Sequence, residues 1–201
     1  MPLGFDKVRI FNMALSHNGS KSTVEAAGES TRPASICRTW YDAARLASLE
    51  YHNWNFARKS LTLAEHSVDA PENRWAYRYQ YPSDCVKFRV IENPAGPDRD
   101  AIPYKVEEGD DDSLSIVTDQ YQAVGIYTKN AEDPTRFSMH YTLLLSLQLG
   151  IYINPEIAGK LSRLDRMQRD LREAIIMAPT VDAQESVERE ERPAKWHRGR
   201  T

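Results

Sequence analysis

Residues 34–51 read ASICRTWYDAARLASLEY, and residues 54–57, three positions further on, read WNFA. In the first stretch Ile36, Trp40, Ala43, Ala44, Ala47 and Tyr51 recur at steps of three and four, the spacing that lines one side of an α-helix. Pro33 stands just ahead, where a proline opens a helix at no cost because its missing N–H would have no partner. WNFA breaks the period, so the chain is expected to turn there and enter an extended segment through Leu61 and Leu63. This change from a helical to a two-residue period points to a chain that mixes helices and strands.

Upstream, Asp6 to Ser16 predicts a short amphipathic helix with Val8, Phe11, Asn12 and Leu15 on one face and Asp6 as its cap. It ends at Asn18-Gly19, and the polar run from Gly19 to Arg32, which has no apolar period, reads as an ordered loop. Downstream, Trp75, Tyr77, Tyr79 and Tyr81 alternate with Ala76, Arg78 and Gln80, a pattern suited to a strand with one aromatic face. A turn at Pro82-Ser83-Asp84 leads into a strand over Cys85 to Ile91. Asn93 to Pro103 holds three prolines and a glycine and is a connection. Tyr104 to Val106, Ser113 to Thr118 and Ala123 to Thr128 are further strands, separated by Glu107 to Asp112 and by Asp119-Gln120. Together they predict one small antiparallel sheet inserted into a helical domain.

Pro134 to Tyr152 returns to helix, with Phe137, Tyr141, Leu144, Leu145 and Gln148 as a stripe that Leu143, Leu147 and Leu149 widen. Asn154-Pro155 reads as the start of the next helix, whose stripe Ile157, Leu161, Leu164, Leu171 and Ile175 runs to Met177. The expected fold is α+β, mainly α. It has an antiparallel bundle of about four helices from residues 1–57 and 133–177, a β-rich insertion at 58–132, and an extended C-terminal arm at 178–201 that is disordered in the free protein.

A chain of 201 residues, 41% hydrophobic and 27% charged, has the make-up of one soluble globular unit. It holds nothing near the roughly 18 consecutive apolar residues of a membrane span. MPLGFDKVRI lacks the build of a secretory signal, so synthesis and retention in a cytoplasm are expected. Cys37 and Cys85 lack CxxC spacing and read as two buried reduced thiols. A net charge of −3 leaves no overall footprint for gripping DNA phosphates.

Motifs of chemistry are missing: there is no Gly-rich phosphate loop, no HExxH and no GxSxG, and His17, His52, His66, His140 and His197 have no metal-ligand spacing. No cofactor, metal or catalytic residue is expected. The cluster Glu107, Glu108, Asp110, Asp111 and Asp112 reads as a solvated turn, not as paired carboxylates or a calcium loop. His66 and His140 are no stronger as general bases than histidines placed by chance. The aromatic stripe from Trp75 to Tyr81 lacks the interleaved basic residues of a nucleobase-stacking surface, and core or subunit interface fits it better. The final ten residues hold Arg192, Lys195, Arg198 and Arg200, Trp196 and one histidine, without an acid. One aromatic anchor among cations suits a segment that folds onto a partner.

The order Asn12-Met13-Ala14-Leu15 with Gly19 after it, Glu29-Ser30, Ala34, Cys37, Tyr41, Arg45, Trp54-Asn55-Phe56-Ala57, and Tyr79-Gln80-Tyr81-Pro82-Ser83-Asp84-Cys85 resembles the tail tubular protein A group. These are head-to-tail adaptors of short-tailed bacteriophages, and the resemblance covers residues 5–177. It implies a structural virion protein, not an enzyme, in which twelve copies form a ring below the portal and double-stranded DNA passes through the lumen with only non-specific contacts. Its implied partners are the portal protein, a tail nozzle like tail tubular protein B, and further copies of itself, with no membrane. On this chain residues 178–201 would be the portal-docking arm, and residues 58–128 would face neighbouring subunits or the nozzle. Asn18 departs from the group, whose members more often place an apolar residue before the glycine.

Two other readings stand beside this one, the first implied by the same resemblance and the second by the residues. Some adaptors of this type are described as degrading peptidoglycan, which would put carboxylates of the 107–112 cluster to work. Alternatively the chain is a helical interaction module whose residues 154–177 form a dimeric coiled coil.

Overall fold

The structure is a computed structural model and describes residues 5–67, 74–96, 100–109 and 112–183. Its fold is α+β, with four α-helices and two three-stranded antiparallel sheets. Helix α1 spans Lys7–His17, and the Asp6 carboxylate accepts from the Arg9 N–H at 2.8 Å, one of the donors a helix start leaves over. Gly19, at φ +61°, takes the left-handed conformation that ends this helix, and its N–H donates to the Ser16 carbonyl. Helix α2 spans Arg32–Tyr51, α3 Met139–Ile157 and α4 Leu161–Ala183. Helix α3 packs against each of the other three. Ile10, Phe11, Tyr41, Leu144, Leu145 and Leu149 are among the core residues they enclose.

Four helical expectations change. The predicted α2 stripe holds in part: Ile36 and Ala44 are buried as expected, but Ala43 is exposed and Trp40 and Tyr51 are 37% and 41% exposed, and the buried side includes Ala34, Cys37, Tyr41, Arg45, Ser48 and Leu49 instead. Both aromatics lie over the seam with α3 instead, Trp40 beside Tyr152 and Tyr51 donating to the Gln148 side chain at 3.0 Å. A count of apolar residues could not place Arg45 and Ser48 on the buried side, because their burial depends on partners outside the helix or on its own backbone. Second, Pro134 opens only a short 3-10 turn (Pro134–Arg136), and α3 begins at Met139 with Ser138 as its cap.

Third, Asn154-Pro155 does not start a helix, because α3 continues through it to Ile157. The Asn154 side chain donates to Asn18 Oδ1 at 2.7 Å, and its carbonyl accepts from the Ala158 and Gly159 N–H groups. That is the pattern of a helix end closed by a left-handed glycine, here Gly159 at φ +58°. Asn18 supplies the other half of the pair, being 1% exposed and donating to the carbonyls of Ala14 and Gly150. Fourth, α4 runs on through Pro179 to Ala183, with Ala178 fully buried and Asp182 7% exposed. Residues 178–183 therefore belong to the body of the protein. The remainder of the proposed arm, residues 184–201 with Arg192, Lys195, Trp196, Arg198 and Arg200, lies outside the described residues, as do Asp110 and Asp111.

The strands are β1 Arg58–Thr62, β2 Tyr77–Gln80, β3 Cys85–Ile91, β4 Tyr104–Glu108, β5 Leu114–Thr118 and β6 Val124–Lys129. They do not make one sheet. They pair as β1-β6-β3 and as β2-β5-β4. Isolated bridges join the two sheets at both seams, Glu65 with Tyr79 and Ile91 with Ile102. The strands thus surround one core of Leu63, Tyr79, Phe88, Ile91, Ile116 and Tyr127, and this near-closure leaves little unpaired edge. Gly125 permits it: a Cβ there would come within 2.6 Å of the Phe88 ring and 2.9 Å of Leu63. Gly125→Ala is expected to cost about 1–3 kcal/mol by overpacking, read as a lower urea midpoint with the helical circular dichroism unchanged.

Candidate functional site: the helix–sheet junction

Of the side chains singled out in the sequence, Arg45, Trp54 and Phe56 gather where α2 and α3 meet the strands, with Tyr81, Pro82, Asp84 and Cys85 on the strand side. Trp54, 1% exposed, caps the end of α2, its indole N–H donating to the Ser48 carbonyl at 3.0 Å. Its ring packs edge-on against Tyr141 at 5.2 Å, and Phe56 packs on both Phe137 and Tyr141. The Tyr141 hydroxyl donates to the Arg45 carbonyl at 3.0 Å. Arg45, 4% exposed, extends its guanidinium to Asn130 Oδ1 at 2.5 Å and to the Ala131 carbonyl at 2.9 Å. It thereby fastens the chain leaving β6 to α2, with only the exposed Asp42 carboxylate as counter-charge, 3.3 Å away.

On the strand side Asp84 accepts from Lys59 at 2.8 Å and from the Tyr127 hydroxyl at 2.7 Å, while its carbonyl accepts from the Asn130 N–H. Burial pushes the Asp84 carboxyl up, but the Lys59 and Tyr127 hydrogen bonds outweigh it and hold the group below its ordinary value. Tyr81 accepts from the Cys85 thiol at 3.2 Å across the Pro82 turn. Asn12, Ala14, Leu15, Cys37 and Tyr41 lie elsewhere, in the packing of α1 and α2. Asn12 exchanges two hydrogen bonds with the Val24 backbone and so pins the loop between those helices, while the other four are buried.

Two residues of the junction escaped the sequence reading. The Arg89 guanidinium, reaching from β3, donates to the carbonyls of Leu49, Glu50 and His52 at 2.8–3.1 Å, closing an α2 end that has no basic residue of its own. Asp182 accepts from the Asn55 N–H at 3.0 Å and from His52 Nε2 at 3.2 Å, tying the end of α4 to the turn before β1. Arg89 left one signal, a second cation beside Lys87 in a strand whose other residues are apolar. Asp182 left none.

The histidines, cysteines and acids singled out in the sequence are placed as follows. His140 donates from Nε2 to the Ala174 carbonyl at 2.7 Å, and His66 meets the Ser113 hydroxyl at 3.1 Å. Burial pushes the Cys37 thiol up to about 11 and raises Cys85 as well, so neither is an activated nucleophile. Glu107 is paired with Arg78 and Lys105, and Glu108 and Asp112 are exposed. Among the described residues no group of three or more His, Cys, Asp or Glu is placed to hold a metal ion, and no helix is long and apolar enough to cross a membrane. Tyr79 is fully buried, with Tyr77 and Tyr81 packed on it, so that part of the aromatic stripe serves the strand core. No protein-family model matches the chain, and no curated protein matches it.

His17 gives the fold a pH response near neutrality. Burial lowers the pKa of His17, Arg166 lowers it further, and Asp170 offsets part of this, while Nε2 meets the Ser146 hydroxyl at 3.1 Å. The folded state thus binds a proton at His17 less readily than the unfolded chain does. His17 disfavours the fold as pH falls through the unfolded value of about 6.5, and contributes no slope well above it. Urea midpoints at pH 5 and pH 7.5 are expected to differ less in His17→Gln than in the native protein.

Proposed function

We propose that the chain is a structural head-to-tail adaptor: a mainly α body built as a helical bundle with a β-rich insertion, which assembles with further copies into a ring between a portal and a tail nozzle in a virion. The observation that carries this reading is the junction itself. Trp54, Phe56, Arg45, Asp84 and Cys85, residues on which the resemblance rests, lie at or beside the place where helices and strands are locked into one stiff body. A ring subunit that transmits load between two neighbours and performs no chemistry needs that stiffness. The succession of helix, loop, helix, strands and two closing helices is also the order the resemblance implies. A coiled-coil dimer through 154–177 fits poorly, because the apolar side of α4, with Met167, Leu171, Ala174 and Ala178, is spent on the core of its own chain.

In this reading residues 184–201 form the portal-docking arm, shortened from 178–201 because α4 uses residues 178–183. Trp196 is the anchor, and Arg192, Lys195, Arg198 and Arg200 are its cations. Negative-stain electron microscopy of the protein with the portal from the same genome tests the proposal. The full chain is expected to add a ring to the portal, and a chain ending at Ala183 to add none. Failure of the full chain to bind would end the adaptor reading.

A further inference from the structure

A concave surface lies on the outer face of the β1-β6-β3 sheet, a groove of about 660 Å³. Val90, Val124 and Ile126 form its floor, Gly125 and Tyr127 having turned to the strand core. Arg58 stands at the end nearest the helices, and Glu92 and Gln122 line the other. Register sets the length: Arg58 pairs with Thr128 and Thr62 with Val124, four residues further along, about 13 Å at the rise of a strand. The Glu92 N–H donates to the Val124 carbonyl, which places Glu92 at that far level.

The described chain ends beside the mouth of this groove. Asp182, next to the last described residue, accepts from the Asn55 N–H, and the Asn55 side chain donates back to the Asp182 carbonyl at 2.8 Å. Asn55 is three positions before Arg58. Beyond Ala183 the chain carries 18 more residues, 184–201, with one tryptophan. Trp196 lies thirteen positions beyond Ala183, a reach of up to about 43 Å, ample for any point in the groove. Charge runs in matching order: Glu185, Glu188, Glu190 and Glu191 come first, on the side of Arg58, and Lys195, Arg198 and Arg200 come later, on the side of Glu92.

We propose that residues 184–201 dock in this groove of their own chain, with the Trp196 indole on Val90, Val124 and Ile126. The groove offers an aromatic side chain an apolar floor and the tail its two opposite charges, so the segment is parked on the body until a partner offers a tighter seat. This inference stands without the adaptor reading and is tested without a portal.

The test is fluorine NMR of the full chain with 5-fluorotryptophan at Trp40, Trp54, Trp75 and Trp196, the last line identified by Trp196→Phe. In the native chain the Trp196 line is expected away from that of an isolated 184–201 peptide. Val124→Arg, which fills the groove, and Arg58→Glu, which reverses its mouth, are expected to move it towards the peptide position while the other three lines stay in place. Arg58 is exposed, so its variant decides the matter should Val124→Arg disturb the fold. Trypsin cleavage after Lys195 is expected to be about tenfold slower in the native chain than in Val124→Arg, because cleavage tracks the undocked fraction. A native Trp196 line at the peptide position, or one that neither variant moves, overturns the proposal. A line that moves with protein concentration places the tail in a second copy's groove and overturns docking within the chain.

Discussion

Trp54→Ala is expected to lower the free energy of unfolding by about 3–5 kcal/mol, enough to leave a protein of ordinary stability barely folded. Trp54 is 1% exposed and touches the rings of His52, Phe56, His140 and Tyr141 at centroid distances of 5.1–6.3 Å. Truncation removes that contact area, leaves a void between α2, α3 and the turn before β1, and strands the Ser48 carbonyl. Trp40→Ala is the control. With 37% of its surface exposed and a single hydrogen bond to the Glu156 carboxylate at 3.2 Å, it is expected to cost about 1 kcal/mol or less. Urea unfolding of the two variants measures the contrast. Similar losses for both would mean that the sequence-predicted face of α2, and not the structural one, faces the core.

Arg89→Met is expected to be the second large loss, about 2–4 kcal/mol. Methionine keeps most of the aliphatic stem but takes away every donor. The carbonyls of Leu49, Glu50 and His52 then face the strands without the guanidinium, and Thr128 Oγ1 loses its 3.0 Å bond. Burial lowers the pKa of Arg89 and the Glu50 charge offsets part of this, while the carbonyls take up its donors. The local signature separates this variant from Trp54→Ala. Amide hydrogen exchange is expected to rise first in the last turn of α2 and in β3, with the α1–α3 contact still protected. Uniform loss of protection would show that Arg89 acts through global stability alone.

These two residues also mark how far the sequence could be read. Trp54 was legible because it broke a helical period and began a quoted motif, although its role as the lid of α2 was not. Arg89 appeared only as a cation in a strand, since its partners lie 37–40 positions earlier. The acidic cluster was read as a solvated turn, whereas Glu107 and Glu108 end strand β4 and Glu107 is engaged by Arg78 and Lys105. The α2 face was only partly legible, because an apolar count takes in Trp40 and Tyr51 and passes over Arg45 and Ser48, which are buried.

By itself the sequence determined the elements: four helices, six strands and the turns between them follow from local period, from caps such as Asp6 and from turn residues such as Gly19, Pro82 and Ser83. Signals of that kind act over a few residues and survive without a partner. Only the tertiary structure decided where α3 stops, which face of α2 is core, that the strands close around one centre, and that α4 reaches Ala183. Each of these depends on a contact made across the chain: Asn154 with Asn18 over 136 positions, Asp182 with Asn55 over 127, Tyr141 with Arg45 over 96. A hydrogen bond between distant residues leaves no period in either segment, so its consequences appear only once the chain has folded.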